Sequence, residues 1–241
     1  MTGPEPGTYR TVLEQRYLDK PPSRRLLGVS AQHYSFVVDA FVRMVRSSGA
    51  TEYEFSLRET RTWDIIEDVR TLRSELGILY RNEFNRSVID KLLRDSGLVF
   101  RPLFVAEPHI FISRKNPLAS RERVTLEDLA DLPRLTFDQG ANNSFYFAEE
   151  ILSTLSSKQE IRVSDRATIF NLMIGLDGYT ISTGMVSDDL DPEIVAISLD
   201  VDGRIEIGWI AHSAIPLTEQ AHRYLAELRA VVTGFGVPLI G

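Results

Sequence analysis

Ser30 stands in the run GVSAQ, where a nucleophilic serine would need a second glycine to hold it on a strained turn and a base to take its proton. Neither is visible in the sequence. The four histidines, His33, His109, His212 and His222, form no HExxH pattern and no His/carboxylate pairing at metal-ligand spacing, so no metal site is expected. Residues 200–203, DVDG, carry half of a calcium-loop pattern but lack the later ligands and the bidentate glutamate, and read as an Asp-Gly turn joining two strands in a hairpin. The acidic pairs Glu149-Glu150 and Asp188-Asp189 read as solvated surface. No two carboxylates stand out as acid and base. Neither catalysis nor a cofactor is expected from these residues.

Binding is the chemistry that remains, and it depends on which elements present the polar residues. From residue 25 the chain alternates short apolar runs with helical periodicity. RLLGVS (25–30), YEFSL (53–57), LGILY (76–80) and LVFRPLFV (98–105) read as strands. Between them lie helices at 34–46, with Tyr34, Val37, Val38, Phe41 and Val45 on one face, at 63–74 and at 87–95. Further on, strands are expected at 109–113, 134–137, 160–163 and 179–182, and helices at 145–155, 167–175 and 218–232. Thr125 with Asp128 three residues on gives a capping-box start for a helix through LEDLADL, which Pro133 ends. Strands alternating with helices predict an α/β protein with mostly parallel sheets and right-handed crossovers.

Sheets of this kind bind ligands at the carboxyl ends of their strands, where helix N-termini offer backbone N–H groups. That rule selects Ser30, Ala31, Gln32 and His33 after the first strand, Glu59, Thr60 and Arg61 after the second, and Arg81-Asn82 after the third. In the second half it selects the loop from Asp138 through Asn142, Asn143 and Ser144, and Ser182-Thr183-Gly184. Ser30 is expected at a cleft mouth, donating to a ligand carboxylate or carbonyl, with helix capping as its alternative role. His33 reads as an anion sensor or a structural residue at a helix start. Thr60 and Arg61 are ligand contacts or the first turn of the helix at 63; residues 137–144 are a contact loop or a turn.

The totals bound the class. A chain of 241 residues, 43% hydrophobic and 25% charged, has the balance of a globular protein of one large domain or two lobes. It has no cysteine, which removes disulfides and thiolate catalysis and fits a reducing compartment, so a cytoplasmic location is expected. No signal segment and no run of about 18 apolar residues is seen, so no membrane partner is expected. A net charge of -7 makes the chain a poor polyanion binder. The cluster Arg16, Lys20, Arg24 and Arg25 around Pro21-Pro22 reads as a solvated linker.

The stretch NPLASRERVTLEDLADLPRLTF (116–137), preceded by the apolar run HIFISRK, resembles the segment that opens the second lobe of the effector-binding domain of LysR-type transcriptional regulators. RLLGVSAQHYSFVVDAFV resembles the first strand and helix of that domain, and RIEIGWIAH with TEQAHRYLAELRAVV its last strand and helix. The resemblance covers about residues 24–233. It implies a two-lobed periplasmic-binding-protein type 2-like fold, with lobe I at 24–104 plus 212–234, lobe II at 105–211, and a C-terminal tail at 235–241. Crossovers are then expected near Phe104-Val105-Ala106 and Ile210-Ala211-His212.

It implies a small polar or anionic effector in the inter-lobe cleft, with Ser30, Gln32 and the 138–144 loop as contacts. It also implies a homodimer, a tetramer in a full-length regulator, and DNA contact only through a domain missing from this chain. Residues 1–23 resemble a disordered leader and the end of a linker helix at 8–18. The apolar surface of the first helix, with Phe36, Ala40 and Met44 beyond its core stripe, is the expected dimer contact. A solute-binding protein of transport is the alternative on the same fold; an enzyme such as a dehydratase or deaminase is a third.

Overall fold

The computed structural model describes residues 25–49, 51–142 and 144–241. The leader and linker-helix remnant expected at 1–23, and Asn143, lie outside them.

Apolar periodicity sets the first half. Strands β1 (Arg25–Ala31), β2 (Tyr53–Glu59), β3 (Leu76–Arg81) and β4 (Leu98–Ala106) alternate with helices α1 (Ser35–Ser47), α2 (Thr62–Arg70) and α3 (Arg86–Asp95). After β5 (His109–Ser113), β6 (Arg123–Val124), β7 (Arg134–Phe137) and β8 (Glu160–Val163) come α4 (Arg166–Leu176), β9 (Thr180–Ser182), β10 (Ile194–Leu199), β11 (Ile205–His212) and α5 (Glu219–Gly234). Asp165 caps α4 by accepting from the Thr168 N–H at 2.8 Å, and Thr218 caps α5 through the Ala221 N–H at 3.2 Å.

Lobe I is a five-stranded sheet in the order β2-β1-β3-β11-β4, and lobe II a four-stranded sheet in the order β6-β10-β5-β9 with the parallel pair β7-β8 beside it. Strands β1, β2 and β3 are parallel, and β11 runs against both β3 and β4. In lobe II, β6 and β10 are parallel and β5 runs against both β10 and β9. Each sheet therefore has a single reversed strand, and the others in it point their carboxyl ends the same way.

The lobe I sheet is buried on both faces. Leu27, Val29 and Ala31 of β1 pack in one cluster with Phe36, Met44, Tyr224 and Leu228 from α1 and α5. Leu79 and Ile210 pack on the other face with Ile65, Val69, Ile89 and Leu93 from α2 and α3. The first cluster continues into lobe II through Leu103, Phe104, Ile110 and Ile181. A third cluster, with Leu135, Ile169 and Met173, seats α4 on lobe II. Each such side chain contributes roughly 1.5–3 kcal/mol when fully buried.

Several expectations change. Strands β10 and β11 form no hairpin: β10 pairs with β5 and β6, whereas β11 pairs with β3 and β4, so DVDG is a crossing between lobes. The chain consequently re-enters lobe I at Ile205, ahead of the boundary expected at 211–212. Thr125 and Asp128 do exchange hydrogen bonds, at 2.9 and 3.4 Å. Beyond them the chain closes only i to i+3 bonds (Leu129 to Leu126, Ala130 to Glu127), so LEDLADL is a series of turns. The helix expected at 145–155 is absent; a single 3-10 turn at Phe145–Phe147 gives way to irregular chain. Phe36, Ala40 and Met44, expected on the outside of the first helix, are buried in its core face with Val37, and Val38, Phe41, Val42 and Val45 are half-buried.

Candidate functional site

The carboxyl ends of β1, β2 and β3 face a stretch of lobe II that the sequence assigned to solvent. Gln32, fully buried just after β1, accepts from the Tyr80 N–H at 2.8 Å and the Tyr34 hydroxyl at 3.0 Å. Its amide donates to Thr62 Oγ1 at 2.6 Å. Thr62, at the start of α2, passes its own proton to the Phe147 carbonyl at 2.8 Å, and its N–H donates to Gln139 Oε1 at 3.3 Å.

Gln139 Nε2 in turn donates to Glu149 Oε1 at 3.0 Å, and Glu149 Oε2 lies 3.2 Å from the His33 backbone N–H and 2.7 Å from its Nδ1. The His33 ring stacks on Phe137 with centroids 4.0 Å apart. Tyr80 donates its hydroxyl to the Glu150 carbonyl at 2.9 Å, and the Glu150 carboxylate accepts from the Phe137 N–H at 3.0 Å. Every link in this network except those within Gln32, Tyr34, Tyr80 and Thr62, and those within lobe II, crosses between the lobes.

Charges at the margins also cross. Arg61 donates to the Asp138 carboxylate at 2.8 Å and to its carbonyl at 3.1 Å. Gly140, at φ +60°, lets the loop pass close above that guanidinium: a Cβ there would stand 2.5 Å from Arg61 Nη1. Arg166 reaches Glu59 at 2.9 Å and Asp191 at 3.3 Å. At the mouth Phe84 stacks on Tyr146 with centroids 4.8 Å apart.

Electrostatics follow from burial. Burial lowers the His33 pKa, but the charge of Glu149, its hydrogen bond and the more distant Glu59 outweigh that, and the net shift is upward. Burial, reinforced by the Glu149 charge, pushes Glu150 up to about 7, against the opposing pull of the Phe137 N–H and Arg134. The Tyr34 and Tyr80 phenols are raised by burial and by the same glutamates, so both remain donors.

Behind this network lies a cavity of about 20 Å³, about the room of one water molecule. His33, Phe111, Glu150, Arg166, Phe170 and Thr180 are among its walls. Thr180 is 4% exposed, and its hydroxyl has no hydrogen-bond partner among the described residues. A buried hydroxyl left unpaired costs about 1–3 kcal/mol. Thr180→Val should therefore raise stability by about 1 kcal/mol in urea denaturation; a loss of stability would mean the hydroxyl has a partner.

The structure brings together Gln32, His33, Arg61 and Asp138 of the residues selected from sequence. It takes others elsewhere. Ser30 lies on the opposite face of β1 from Val29 and Ala31, donating to Asp68 Oδ2 at 2.7 Å and lying 2.8 Å from Ser74 Oγ, with no exposed surface. Strand alternation turns it under α2, away from the cleft. Ala31 is core. The Thr60 N–H closes the edge of the sheet on the Ala31 carbonyl at 2.9 Å.

Arg81 is tied to Asp90 and Glu206, both at 2.5 Å, and lies over the Phe100 ring. It borders a separate open groove of about 1050 Å³ with Asp200 and Arg204. Thr183 is buried in a turn with Met185, Asn142 is exposed, and Ser144 caps the turn at 145. Glu149 and Glu150, read from sequence as solvated surface, are instead buried here, and Thr62, Tyr80, Arg166 and Thr180 were not singled out. Only Thr62, one residue past the strand-end set, had a positional signal.

Two α/β lobes, each with one reversed strand, closing on polar residues at their strand ends narrow the comparison. Residues 49–233 match the LysR substrate binding domain family. The chain belongs to this family. Among solved structures, this LysR-type domain is similar to the reduced form of the OxyR regulatory domain from Pseudomonas aeruginosa, at TM-score 0.60 and 14% identity, covering 87% of this chain and 100% of that one. It is similar to the regulatory domain of MetR, a LysR family regulator from N. meningitidis, at TM-score 0.59 and 14% identity, covering 92% and 100%. The effector binding domain of QuiR in complex with shikimate gives TM-score 0.57 at 14% identity, covering 88% and 98%. At these identities the likeness is one of fold. A comparison with curated proteins gave no match. The family match supports a ligand-sensing regulatory role and does not favour the transport alternative.

Proposed function

We propose that this LysR-type domain senses a small polar or anionic metabolite between its lobes, at the cavity bounded by His33, Glu149, Glu150, Arg166 and Thr180, to control transcription. The observation that carries the reading is the unpaired, buried Thr180 hydroxyl at a cavity flanked by a helix N-terminus. A ligand contacting both lobes stabilises the closed arrangement by its differential affinity for it. The domain acts by binding, in the cytoplasm, without catalysing a reaction, and DNA is contacted by a different domain of the regulator. None of the described helices is long and apolar enough to cross a membrane.

Screening organic acids, amino acids and phosphates by thermal shift tests the reading. A ligand that raises the melting temperature with concentration and is recovered unaltered supports it. Chemical conversion of the ligand would show an enzyme instead.

The regulatory unit is a homodimer, and a full-length regulator a tetramer. Support comes from α1, where Val38, Phe41, Val42 and Val45 remain half-exposed along one side. Sedimentation should show a dimer at micromolar concentration, and Val42→Arg a monomer that melts normally. A monomer already in the wild type contradicts the assignment.

A further inference from the structure

The carboxyl ends of the lobe I strands are covered by the protein's own chain. Residues 147–150 of lobe II reach the carboxyl ends of three lobe I strands: Phe147 through Thr62 at the end of β2, Glu149 through His33 at the end of β1, and Glu150 through Tyr80 within β3. Those are the positions at which such a sheet takes a ligand. The central contact is a carboxylate on the backbone N–H of His33, two residues before α1, with a second donor from the imidazole and a third from Gln139.

Three observations separate this arrangement from ordinary packing. First, two adjacent carboxylates, Glu149 at 7% and Glu150 at 5% exposure, are an expensive way to join two lobes; apolar residues of like volume would do so at lower cost. Second, the segment has no regular structure of its own: after the 3-10 turn ending at Phe147 the chain runs irregularly to Leu152, a non-glycine residue at φ +57° whose carbonyl accepts from Arg134 at 3.0 Å. Third, the contacts complete the polar end of the cleft but leave its far end, with Phe111, Ile169 and Phe170 as apolar walls, holding the unpaired Thr180 hydroxyl.

We propose that residues 147–150 are a tethered occupant of the effector cleft, the Glu149 carboxylate holding the place of the effector's own, and that the effector is a small carboxylic acid with an apolar body which displaces Glu149 and reaches Thr180. The proposal rests on the inter-lobe reading above and adds the class of ligand and the competitor it must displace. A tethered carboxylate competes at high effective concentration. It sets a threshold below which the effector does not bind. On displacement the segment takes its contacts with β1, β2 and β3 away from lobe I, so the same event that admits the ligand changes what joins the lobes.

Truncation at Glu149 gives the test. Glu149→Ala removes the atoms of an acetate, so acetate should bind the variant and raise its melting temperature in proportion to concentration, against sodium chloride at equal ionic strength, while leaving the wild type unmoved. Benzoate, measured by calorimetry, should bind Glu149→Ala at least ten-fold more tightly than wild type. Glu149→Gln keeps the volume and weakens the competitor, and should tighten benzoate at least three-fold, which preserves the test if the alanine variant does not fold. Benzoate affinity that is unchanged or lower in both variants, or absent from all three proteins, overturns the proposal. If in that case the wild type still binds a neutral metabolite from the thermal-shift screen, and Thr180→Leu loses it, the inter-lobe reading stands without the tethered occupant.

Discussion

Ser30→Phe should destabilise the domain severely. The side chain has no exposed surface and is wedged between Asp68 and Ser74 on the face of β1 covered by α2. A ring there overpacks the layer, at about 1–3 kcal/mol. It also strips Asp68, 6% exposed, of a hydroxyl donor, at about 1.5–3 kcal/mol for a bond to a charged group. The sum, about 3–6 kcal/mol, consumes much of the roughly 5–15 kcal/mol by which a native protein is stable. Ser30→Ala should lose about 1–2 kcal/mol, because Arg58 and Arg73 remain beside Asp68 at 3.8 and 3.4 Å. Urea denaturation reads both. A Phe variant as stable as the wild type would return Ser30 to the cleft mouth, where the sequence had placed it.

The second large effect is electrostatic, and it depends on pH. Glu150 titrates at about 7 in the folded protein, against an ordinary 4.5. A carboxyl raised on folding favours the folded state while protonated, so its contribution is complete below about 4.5 and is lost as pH rises through about 7. At about 1.4 kcal/mol per unit, the loss approaches about 3 kcal/mol on the alkaline side. His33 runs the same way, since a histidine raised above 6.5 stabilises below that value and loses the contribution as pH climbs past its folded pKa.

Burial is the largest cause in both; Glu149 acts on both groups, Glu59 and Arg166 on His33, and the Phe137 N–H and Arg134 on Glu150. Wild-type stability should therefore fall between pH 5 and 8. Glu150→Gln, which keeps an acceptor for the Phe137 N–H, should be more stable than wild type at pH 8 by about 2–3 kcal/mol and equal to it near pH 4. Parallel pH curves for the two proteins would show that Glu150 titrates alike in the folded and unfolded states.

What was legible in the sequence had a local physical cause. Apolar period and glycine or proline punctuation located β1 to β4 and the helices between them, and the capping pair Thr125–Asp128 was present as read. What failed depended on partners distant along the chain. An Asp-Gly pair between two apolar runs marks a turn, but it does not say that Ile194–Leu199 and Ile205–His212 pair with different sheets. Ser30 was placed at the right strand end but on the wrong face: only the packing of α2 against β1 decides which side of the strand is covered. Glu149-Glu150 read as surface because two adjacent carboxylates are rarely buried. Their partners His33 and Tyr80 lie 116 and 70 positions away, across the two lobes.

The central claim is that a small molecule binds between the lobes beside Thr180, and native mass spectrometry of the domain after exposure to a cellular metabolite extract tests it most directly. The wild type should retain one small molecule in stoichiometric amount. Thr180→Leu, which fills the 20 Å³ cavity, should melt within a few degrees of wild type and lose that molecule. Equal retention by wild type and Thr180→Leu, or no retained molecule in the wild type, would contradict the account.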